Sequence, residues 1–342
     1  MTASQNSYNF GKVNHFLFIG GTELLTMCLE NLKTHHQITV ATNPWQANEP
    51  SHIPGLNVID YLKKNKIETH VFETLKDNND FKKLVTAQTI GISISAPWII
   101  KKAIIDLFDG KIINIHCSRL PQNRGGGGLS WQIMQGTNFG YGSWHFVTEG
   151  IDDGNILHFT EFPYPPLSQT PAALADYMRR EVAKDFTILA KKIETNEVFH
   201  PRAQSEHLST YWPRLNTDIN GFLNWSWELK DMVSFIQAFS DPFKGAQTFI
   251  GDTVFRLKEA VAEYNDGSFH PFQIGIVYRK HNNALYIATK QGTLVIRQVN
   301  DNNGNSVFEQ IALGERFFTP QKFLEEALMT RVQYNAHGLK KN

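Results

Sequence analysis

The chain has 342 residues, of which 41% are hydrophobic and 19% charged, a composition that argues against a disordered, collagen-like or coiled-coil protein. At about 150 residues per domain, two domains are expected. Lys plus Arg and Asp plus Glu each total 33, so no net positive charge attracts a nucleic acid, although a local basic patch stays open.

The first residues of the chain are polar and lack the charged-then-apolar order of a signal peptide, and no apolar run approaches membrane-spanning length. We therefore expect a cytoplasmic protein without a membrane partner. Two cysteines without a C-x-x-C motif exclude a disulfide framework and fit a reducing compartment. The 13 histidines include no H-E-x-x-H spacing, so we expect no metal site.

From residue 13 to about 117, short apolar runs alternate with longer amphipathic stretches, as parallel strands and crossover helices do. Helical spacing predicts helices from Glu23 to Lys33 and from Ile99 to Phe108, with Pro97 at the entry of the second. The strand candidates are VNHFLFIGG, QITVAT, THVFET, TIGISIS and KIINIHC. This order predicts an α/β fold with an open, doubly wound (Rossmann-like) sheet.

After a glycine run at residues 125–128, the regular alternation of strand and helix ends. Two later strands are joined by EGIDDG, which has turn chemistry. Residues 196–226 are polar and aromatic without a period, which indicates a linker packed across a surface. The predicted elements are a helix at 129–135, the strands YGSWHFVT and NILHFTEFPY, a long helix from Pro171 towards Ile193, and a helix from Trp227 to Phe239.

Residues 246–319 contain short alternating strands separated by turn signals, the pattern of a small β-barrel (OB-like) or sandwich. An amphipathic helix follows from Pro320. The predicted domains are an α/β domain at 13–200, a linker with a junction helix at 201–245, and a smaller β-barrel-like domain at 246–330.

Two polar residues stand at the end of the strand KIINIHC, and ligands bind at the carboxyl ends of strands in such sheets. Asn114 and His116 are two residues apart, so both side chains lie on one face of the strand. Asp152 lies in the EGIDDG turn, from which a carboxylate can reach a histidine. Without a serine or cysteine nucleophile, this set predicts direct transfer to an external nucleophile, whereas an Asn-x-His pair alone is more often a core pair.

The run N-I-H-C-S-R-L-P-Q-N-R-G at 114–125, with E-G-I-D-D-G at 149–154, resembles the folate-dependent formyltransferases, whose pattern is N-x-H-x-S-x-L-P-x-x-R-G and then a D-x-G turn. The likeness is greatest to the sugar-nucleotide N-formyltransferases. From Pro213 the chain is similar to the junction and C-terminal barrel of methionyl-tRNA formyltransferase. The resemblance implies N10-formyltetrahydrofolate as co-substrate and a catalytic triad of Asn114, His116 and Asp152.

The resemblance also implies ligand contacts outside the triad. The residues assigned to the co-substrate are Ala96, Pro97, Trp98, Ile99, Ser118, Leu120, Pro121, Arg124 and Asp153. Gly125 and Gly126 are assigned to the acceptor, and so are Asn43 and Trp45, because they follow the second strand, where the open face of such a sheet can meet a sugar nucleotide. Two departures from the family pattern, Cys117 and the glycine run at 125–128, leave the triad intact, and the glycines bear on the identity of the acceptor.

The implied reaction moves a formyl group from N10-formyltetrahydrofolate to a primary amine. A C-terminal barrel disfavours glycinamide ribonucleotide as the acceptor, because its formyltransferases end near the first domain. Residues 246–319 contain seven basic and seven acidic side chains, which gives no basic patch for tRNA. We therefore expect a nucleotide-linked 3- or 4-amino deoxysugar for a surface polysaccharide such as lipopolysaccharide, and no nucleic-acid partner.

Two other functions stay open at this point. One is methionyl-tRNA formyltransferase, and the other, of a different class, is a non-catalytic folate- or nucleotide-binding protein. The sequence also leaves the oligomeric state open, with a homodimer as one option.

Overall fold

The computed structural model describes residues 7–32, 34–126, 128–166, 169–335 and 338–339. Lys33, at the predicted end of the first helix, and Gly127, in the glycine run, lie outside these ranges. In the part of the chain that is described, no helix has the length and apolar character needed to cross a membrane.

The secondary structure follows the predicted alternation of strands and helices. The strands are β1 (His15–Gly20), β2 (Gln37–Thr42), β3 (Glu68–Val71), β4 (Thr89–Ile94), β5 (Ile112–His116), β6 (Arg124–Gly125), β7 (Phe139–Phe146), β8 (Ile156–Pro163), β9 (Tyr211–Trp212), β10 (Ala246–Ile250), β11 (Thr253–Glu263), β12 (Val277–His281), β13 (Ala284–Thr289), β14 (Gly292–Asn300), β15 (Tyr334–Asn335) and β16 (Gly338–Leu339). The helices are α1 (Glu23–Asn31), α2 (Pro44–Ala47), α3 (Val58–Lys64), α4 (Asn79–Lys83), α5 (Lys102–Leu107), α6 (Leu129–Met134), α7 (Pro171–Glu194), α8 (Thr217–Asn220), α9 (Leu229–Ala238) and α10 (Gln321–Met329).

Among the described residues, seven strands form one sheet in the order β3-β2-β1-β4-β5-β7-β8. Strands β1 to β5 are parallel, whereas β7 and β8 are antiparallel to their neighbours. Strands β1 and β4 are buried along their whole length, which explains their continuous apolar sequences, because parallel strands are covered on both faces. The predicted α/β fold with an open, doubly wound sheet is confirmed.

Helix α7 covers one face of this sheet and packs against α1. The Thr170 hydroxyl accepts the backbone N–H of Ala173 at the start of the helix, and Pro171 occupies the first turn, where no backbone donor is needed. Val182 and Phe186 are fully buried against the sheet. Burial of each such side chain contributes about 1.5–3 kcal/mol, so this helix fixes the sheet that carries the site.

The loop after β4 differs from its prediction. The helix predicted from Ile99 begins only at Lys102, and Pro97 lies in the preceding loop instead of at the helix entry. Ser95 has a φ of 54°, a left-handed conformation that ends the strand. Ile100 is buried although it is not helical, so apolar residues at helical spacing belong partly to a loop packed on the core.

Residues 43–83 contain three short helices that the sequence analysis did not identify individually. Each follows an asparagine, Asn43, Asn57 or Asn78, whose side chain accepts a backbone N–H of the first turn. Asparagine is among the preferred N-cap residues, so these positions were the signal for the helices.

The C-terminal region forms an antiparallel sheet in the order β10-β11-β14-β13-β12. Residues 315–318 join its two edges: the N–H of Val277 donates to Glu315 O at 2.8 Å, and the N–H of Phe318 donates to Phe249 O at 2.9 Å. These bonds link the two edge strands through one segment and give the sheet a barrel-like closure. The predicted small barrel-like domain is confirmed.

The segment between the two sheets is packed, as predicted for residues 196–226. Tyr8 and Phe199 exchange backbone hydrogen bonds of 2.9 and 2.7 Å, and Ile156 and Arg202 exchange two of 2.8 Å. Further on, β9 pairs with β6 in parallel. The segment is therefore fixed to the α/β sheet, while the exact domain limits at 200 and 245 stay a prediction.

Candidate active site

Strand β5 carries two of the predicted catalytic residues near its carboxyl end. Asn114 and His116 are both half-buried, and their register places them opposite His145 and Ser143 of β7. Because side chains directly opposite each other lie on the same face of a sheet, Asn114, His116 and His145 share one face. The predicted placement of Asn114 and His116 agrees with this arrangement.

The turn that carries Asp152 lies next to this face of the sheet. Asp152 Oδ2 accepts the backbone N–H of Gly125 at 2.9 Å and lies 3.5 Å from His116 Nδ1. Its other oxygen, Oδ1, lies 3.5 Å from His145 Nε2. The structure thus brings the three predicted residues together with His145, and we call Asn114, His116, His145 and Asp152 the polar cluster.

The imidazole of His116 is held at both nitrogens. Its Nε2 lies 2.7 Å from the carbonyl oxygen of Asn123 and 2.6 Å from Ser118 Oγ. A carbonyl oxygen only accepts hydrogen bonds, so Nε2 carries a proton in this arrangement. Protonation therefore changes at Nδ1, the nitrogen that faces Asp152.

His145 is the member of the polar cluster that the sequence analysis missed. Its Nδ1 lies 2.9 Å from Phe146 O, so Nδ1 donates, and in the neutral ring Nε2 accepts the Asn114 amide at 3.2 Å. The Asn114 Oδ1 accepts the Ser93 hydroxyl at 2.8 Å. These two bonds fix the amide so that one of its hydrogens stays available for a ligand. The available signal was the alternation in YGSWHFVT, which puts His145 on one face of its strand.

Burial lowers the pKa of His116, an effect that the Asp152 charge and the bond to Asn123 oppose and that His145 reinforces. The imidazole is consequently neutral near pH 7 and able to accept a proton. Burial alone raises the pKa of Asp152, but the nearby imidazoles of His145 and His116 and the Gly125 N–H outweigh it and lower this pKa to about 2. Asp152 is therefore a carboxylate at every working pH.

The segment assigned to the co-substrate begins directly after β4, the strand beside β5. Ala96, Pro97 and Trp98 are half-buried, and the Trp98 indole N–H donates to Glu73 O at 3.0 Å. Ile99 is 74% exposed. The segment lies at the carboxyl edge of the sheet, which is the edge that carries His116.

Most of the loop residues assigned to the co-substrate are buried and make structural contacts within the protein. Ser118 is buried and its hydroxyl donates to Asn123 O at 3.1 Å, and Leu120 is buried in the core. The Arg124 guanidinium is buried and forms an ion pair with Glu206 at 2.7 Å. Pro121 is half-buried. These contacts hold the loop beneath His116, and a direct role in co-substrate binding stays a prediction.

Asp153, the remaining residue assigned to the co-substrate, is exposed and accepts a hydrogen bond from the Thr148 hydroxyl. It lines a cavity of about 480 Å³ together with Tyr8, Asp109 and Phe146. None of the triad residues lines this cavity. Asp153 therefore faces away from the polar cluster.

The residues assigned to the acceptor lie in two places. Asn43 is fully buried and its side chain accepts the N–H of Gln46, whereas Trp45 is 42% exposed. A Cβ at Gly125 would lie 2.3 Å from the Tyr211 ring, and one at Gly126 would lie 2.4 Å from Arg214 N. The segment that carries Tyr211 and Arg214 thus packs closely against both glycines, and their assignment to the acceptor stays a prediction.

No group of three or more His, Cys, Asp or Glu side chains suited to a metal ion occurs within the described ranges. The polar cluster contains one carboxylate and two imidazoles, and each imidazole has a backbone carbonyl partner. The arrangement can therefore orient an amide, hold an imidazole next to a carboxylate, and accept or return a proton.

Comparisons with known proteins agree with this geometry. The family model called formyl transferase matches residues 16–187, which are 172 of the 342 residues, and that called formyl transferase, C-terminal domain, matches residues 217–312. A methionyl-tRNA formyltransferase of Pseudothermotoga lettingae is 29% identical over 286 residues, which cover 83% of this chain and 90% of that protein.

A methionyl-tRNA formyltransferase of Agathobacter rectalis is 26% identical over 208 residues, which cover 61% of this chain. The match spans 65% of the length of that relative. An N-formyltransferase of Helicobacter canadensis, solved in complex with folinic acid and dTDP-3-aminofucose, has a TM-score of 0.64 at 20% identity and covers 84% of this chain and 100% of its own. At that identity, the likeness concerns the fold.

The N-terminal match covers the α/β sheet, including the polar cluster, and the C-terminal match covers α8, α9 and the barrel strands up to residue 312. Half of the chain therefore falls within a single family model, and the resemblance inferred from the sequence is confirmed. The chain belongs to the formyl transferase family.

Proposed function

We propose that this protein transfers a formyl group from N10-formyltetrahydrofolate to the primary amine of a nucleotide-linked amino deoxysugar. The observation that carries this proposal is the position of Asp152, whose two oxygens lie 3.5 Å from His116 Nδ1 and from His145 Nε2. The same His145 orients the amide of Asn114. An amide donor and an imidazole base on one face are what acyl transfer to an amine requires.

N10-formyltetrahydrofolate is the co-substrate of this family, and it supplies an activated formyl group. Residues near the polar cluster fit such a flat, largely apolar ring with polar edges. Ile99 is 74% exposed and Ile151, beside Asp152, is 52% exposed, so both present apolar surface that a ligand can cover. The Helicobacter canadensis protein, which shares this fold, was solved with folinic acid.

The side chains of the polar cluster divide the chemistry between them. The attacking amine needs a free lone pair, and a neutral His116 accepts its proton. As the formyl oxygen becomes negative, the second N–H of Asn114 and the protonated His116 donate to it. Asp152, which lies 3.5 Å from Nδ1, stabilises the imidazolium, and the proton then passes to the departing folate nitrogen.

The charge distribution supports a small acceptor over a polyanion. Most of the basic side chains in 246–319 are ion-paired with carboxylates, which leaves little positive potential for phosphates. The pairs are Arg256 with Asp218, Lys258 with Asp241, Arg279 with Asp266, and Lys280 with Glu309. The exposed Trp45 ring, on the same edge of the sheet as the polar cluster, offers an apolar surface to a sugar or base.

Methionyl-tRNA is the second candidate acceptor. The specific observation in its favour is the name of the curated relatives, one of which aligns over 83% of this chain. Recognition of methionyl-tRNA depends on a basic protein surface, whereas recognition of an amino sugar nucleotide does not. The salt dependence of binding therefore distinguishes the two acceptors.

The test is to incubate the purified protein with N10-formyltetrahydrofolate and a panel of nucleotide-linked amino sugars, or with methionyl-tRNA, and to score the mass gain of one formyl group. We expect the gain on an amino sugar and its absence with His116→Asn. A gain only on methionyl-tRNA would replace the acceptor, and a gain on no acceptor would favour a non-catalytic binding protein. The exposed His281, on the barrel, provides the matched control His281→Asn.

A further inference from the structure

Residues 188–216 lie between the two family matches, so the family assignment says nothing about their role. Part of this stretch runs beside the polar cluster. The N–H of Arg202 donates to Ile156 O at 2.8 Å, the N–H of Arg124 donates to Thr210 O at 2.9 Å, and the Trp212 indole donates to Asn123 Oδ1 at 3.0 Å. The stretch from 202 to 212 is thus anchored at both ends.

Gln204, in the middle of this stretch, uses its whole amide group. Its Nε2 donates to Asp152 O at 2.8 Å and to Gly154 O at 2.7 Å, and its Oε1 accepts the Arg124 Nε hydrogen at 3.2 Å. The side chain is half-buried. One amide therefore joins the turn that carries Asp152 to the loop that carries Arg124.

The turn that Gln204 holds has an unfavourable backbone. Asp152 has a φ of 51°, in the left-handed region that residues with a side chain rarely occupy. Gly154 is so close to β7 that a Cβ there would lie 1.9 Å from Phe146 O. Such a conformation persists only when neighbouring groups hold it, and Gln204 binds the carbonyl of the strained residue itself and that of Gly154.

Hydrogen bonds connect the loop at Arg124, Gln204 and the Asp152 turn in a closed ring. Arg124 binds Gln204, Gln204 binds the Asp152 turn, and the Asp152 carboxylate accepts the N–H of Gly125, the residue next to Arg124. We propose that Gln204 is a positioning residue that holds the Asp152 carboxylate against His116. This role rests on the proposed function, because it matters only if the polar cluster is catalytic.

If Gln204 positions Asp152, its loss changes the pH at which His116 titrates, whereas the loss of a residue that only stabilises the fold does not. The titratable groups that act on His116 are Asp152, which raises its pKa, and His145, which lowers it. If the turn relaxes and Asp152 moves away, the raising effect weakens and the pKa of His116 falls further. The nuclear magnetic resonance signals of His116 report this titration without any substrate.

Two variants at Gln204 separate its bonds. Gln204→Met removes all three, whereas Gln204→Glu keeps an acceptor for Arg124 but loses both donors to the Asp152 turn. The exposed Gln291, in the β13–β14 turn, provides the control Gln291→Met.

We expect Gln204→Met to titrate His116 at lower pH than the wild type, and both Gln204 variants to lose on the order of 10-fold or more in kcat, since small displacements of catalytic groups have such effects. KM for the folate co-substrate should change little. Gln291→Met should match the wild type in both readouts.

Unchanged turnover in Gln204→Glu would overturn the proposal, even if Gln204→Met failed to fold. A loss of turnover in Gln204→Met with unchanged His116 titration would also overturn it. If instead the wild type formylated no acceptor while the titration shifted as expected, Gln204 would position Asp152 and only the proposed function would fail.

Discussion

The polar cluster and the barrel use charged side chains in opposite ways. In the cluster, one carboxylate, Asp152, lies 3.5 Å from two imidazoles and forms a tight bond with neither. In the barrel, cations have their own carboxylates at short range, such as Lys258 with Asp241 at 2.5 Å. Charges paired at short range neutralise each other, whereas loosely arranged, buried groups keep the capacity to act on a ligand.

The largest expected effect separates chemistry from stability within the polar cluster. Asn114→Ala and His116→Asn each remove a donor or base needed in the transition state, which costs on the order of 100-fold or more in kcat. Their melting temperatures should stay near that of the wild type, because both residues lie half-buried at a strand end. Formyl-transfer rates and thermal unfolding measure the two quantities. Activity within a few-fold of the wild type would remove the triad assignment.

A smaller effect is expected at His145, which orients Asn114 without acting on the formyl group. His145→Phe removes the acceptor of the Asn114 amide, and we expect a loss on the order of 10-fold in kcat with little change in KM for the co-substrate. Steady-state kinetics with both substrates separate these parameters. A loss as large as that of Asn114→Ala would instead indicate that His145 contacts the reacting atoms.

The smallest effect is expected in the barrel. Lys258→Met breaks the ion pair with Asp241, an exposed residue, and should change the free energy of unfolding by no more than about 1 kcal/mol while transfer to an amino sugar stays unchanged.

Titration of the wild type with methionyl-tRNA at low salt should show only weak binding. A tight complex that weakens steeply with salt would contradict the contrast drawn above and move methionyl-tRNA to first place.

Features that depend on residues close together in the sequence could be predicted, whereas contacts between residues distant in the sequence could not. The strand QITVAT has the predicted limits because local apolar patterning sets them. Asn114 and His116 were identified because two residues on one strand share a face whatever the fold. Asp152 was assigned through its turn and the resemblance of the motif.

The supporting residues were missed for the converse reason. The contact of His145 with Asn114 depends on the register of β5 with β7, which tertiary packing sets. Gln204 lies in a stretch without periodicity, so nothing local indicated that it reaches the Asp152 turn. The helix expected from Ile99 was displaced to Lys102 because a packed loop satisfied the same apolar spacing.

The central claim is that His116, held by Asp152, takes the proton of the attacking amine. The most direct test is the rate of formyl transfer against pH for the wild type and Asp152→Asn, with folate binding measured in parallel and Asp252→Asn, an exposed position, as control. The wild-type rate should climb through the neutral range, as the amine loses its proton, and then level off. His116, whose pKa burial lowers, contributes to the rise on its acidic side.

Asp152 has a pKa of about 2 and stays ionised over this range, so it does not itself shape the profile. Asp152→Asn should lose most of the plateau rate, on the order of 100-fold, and keep its affinity for the folate. Because the Asp152 charge raises the pKa of His116, the contribution of His116 to the rise should move to lower pH in the variant. A flat wild-type profile, or normal turnover in Asp152→Asn, would contradict assisted proton removal.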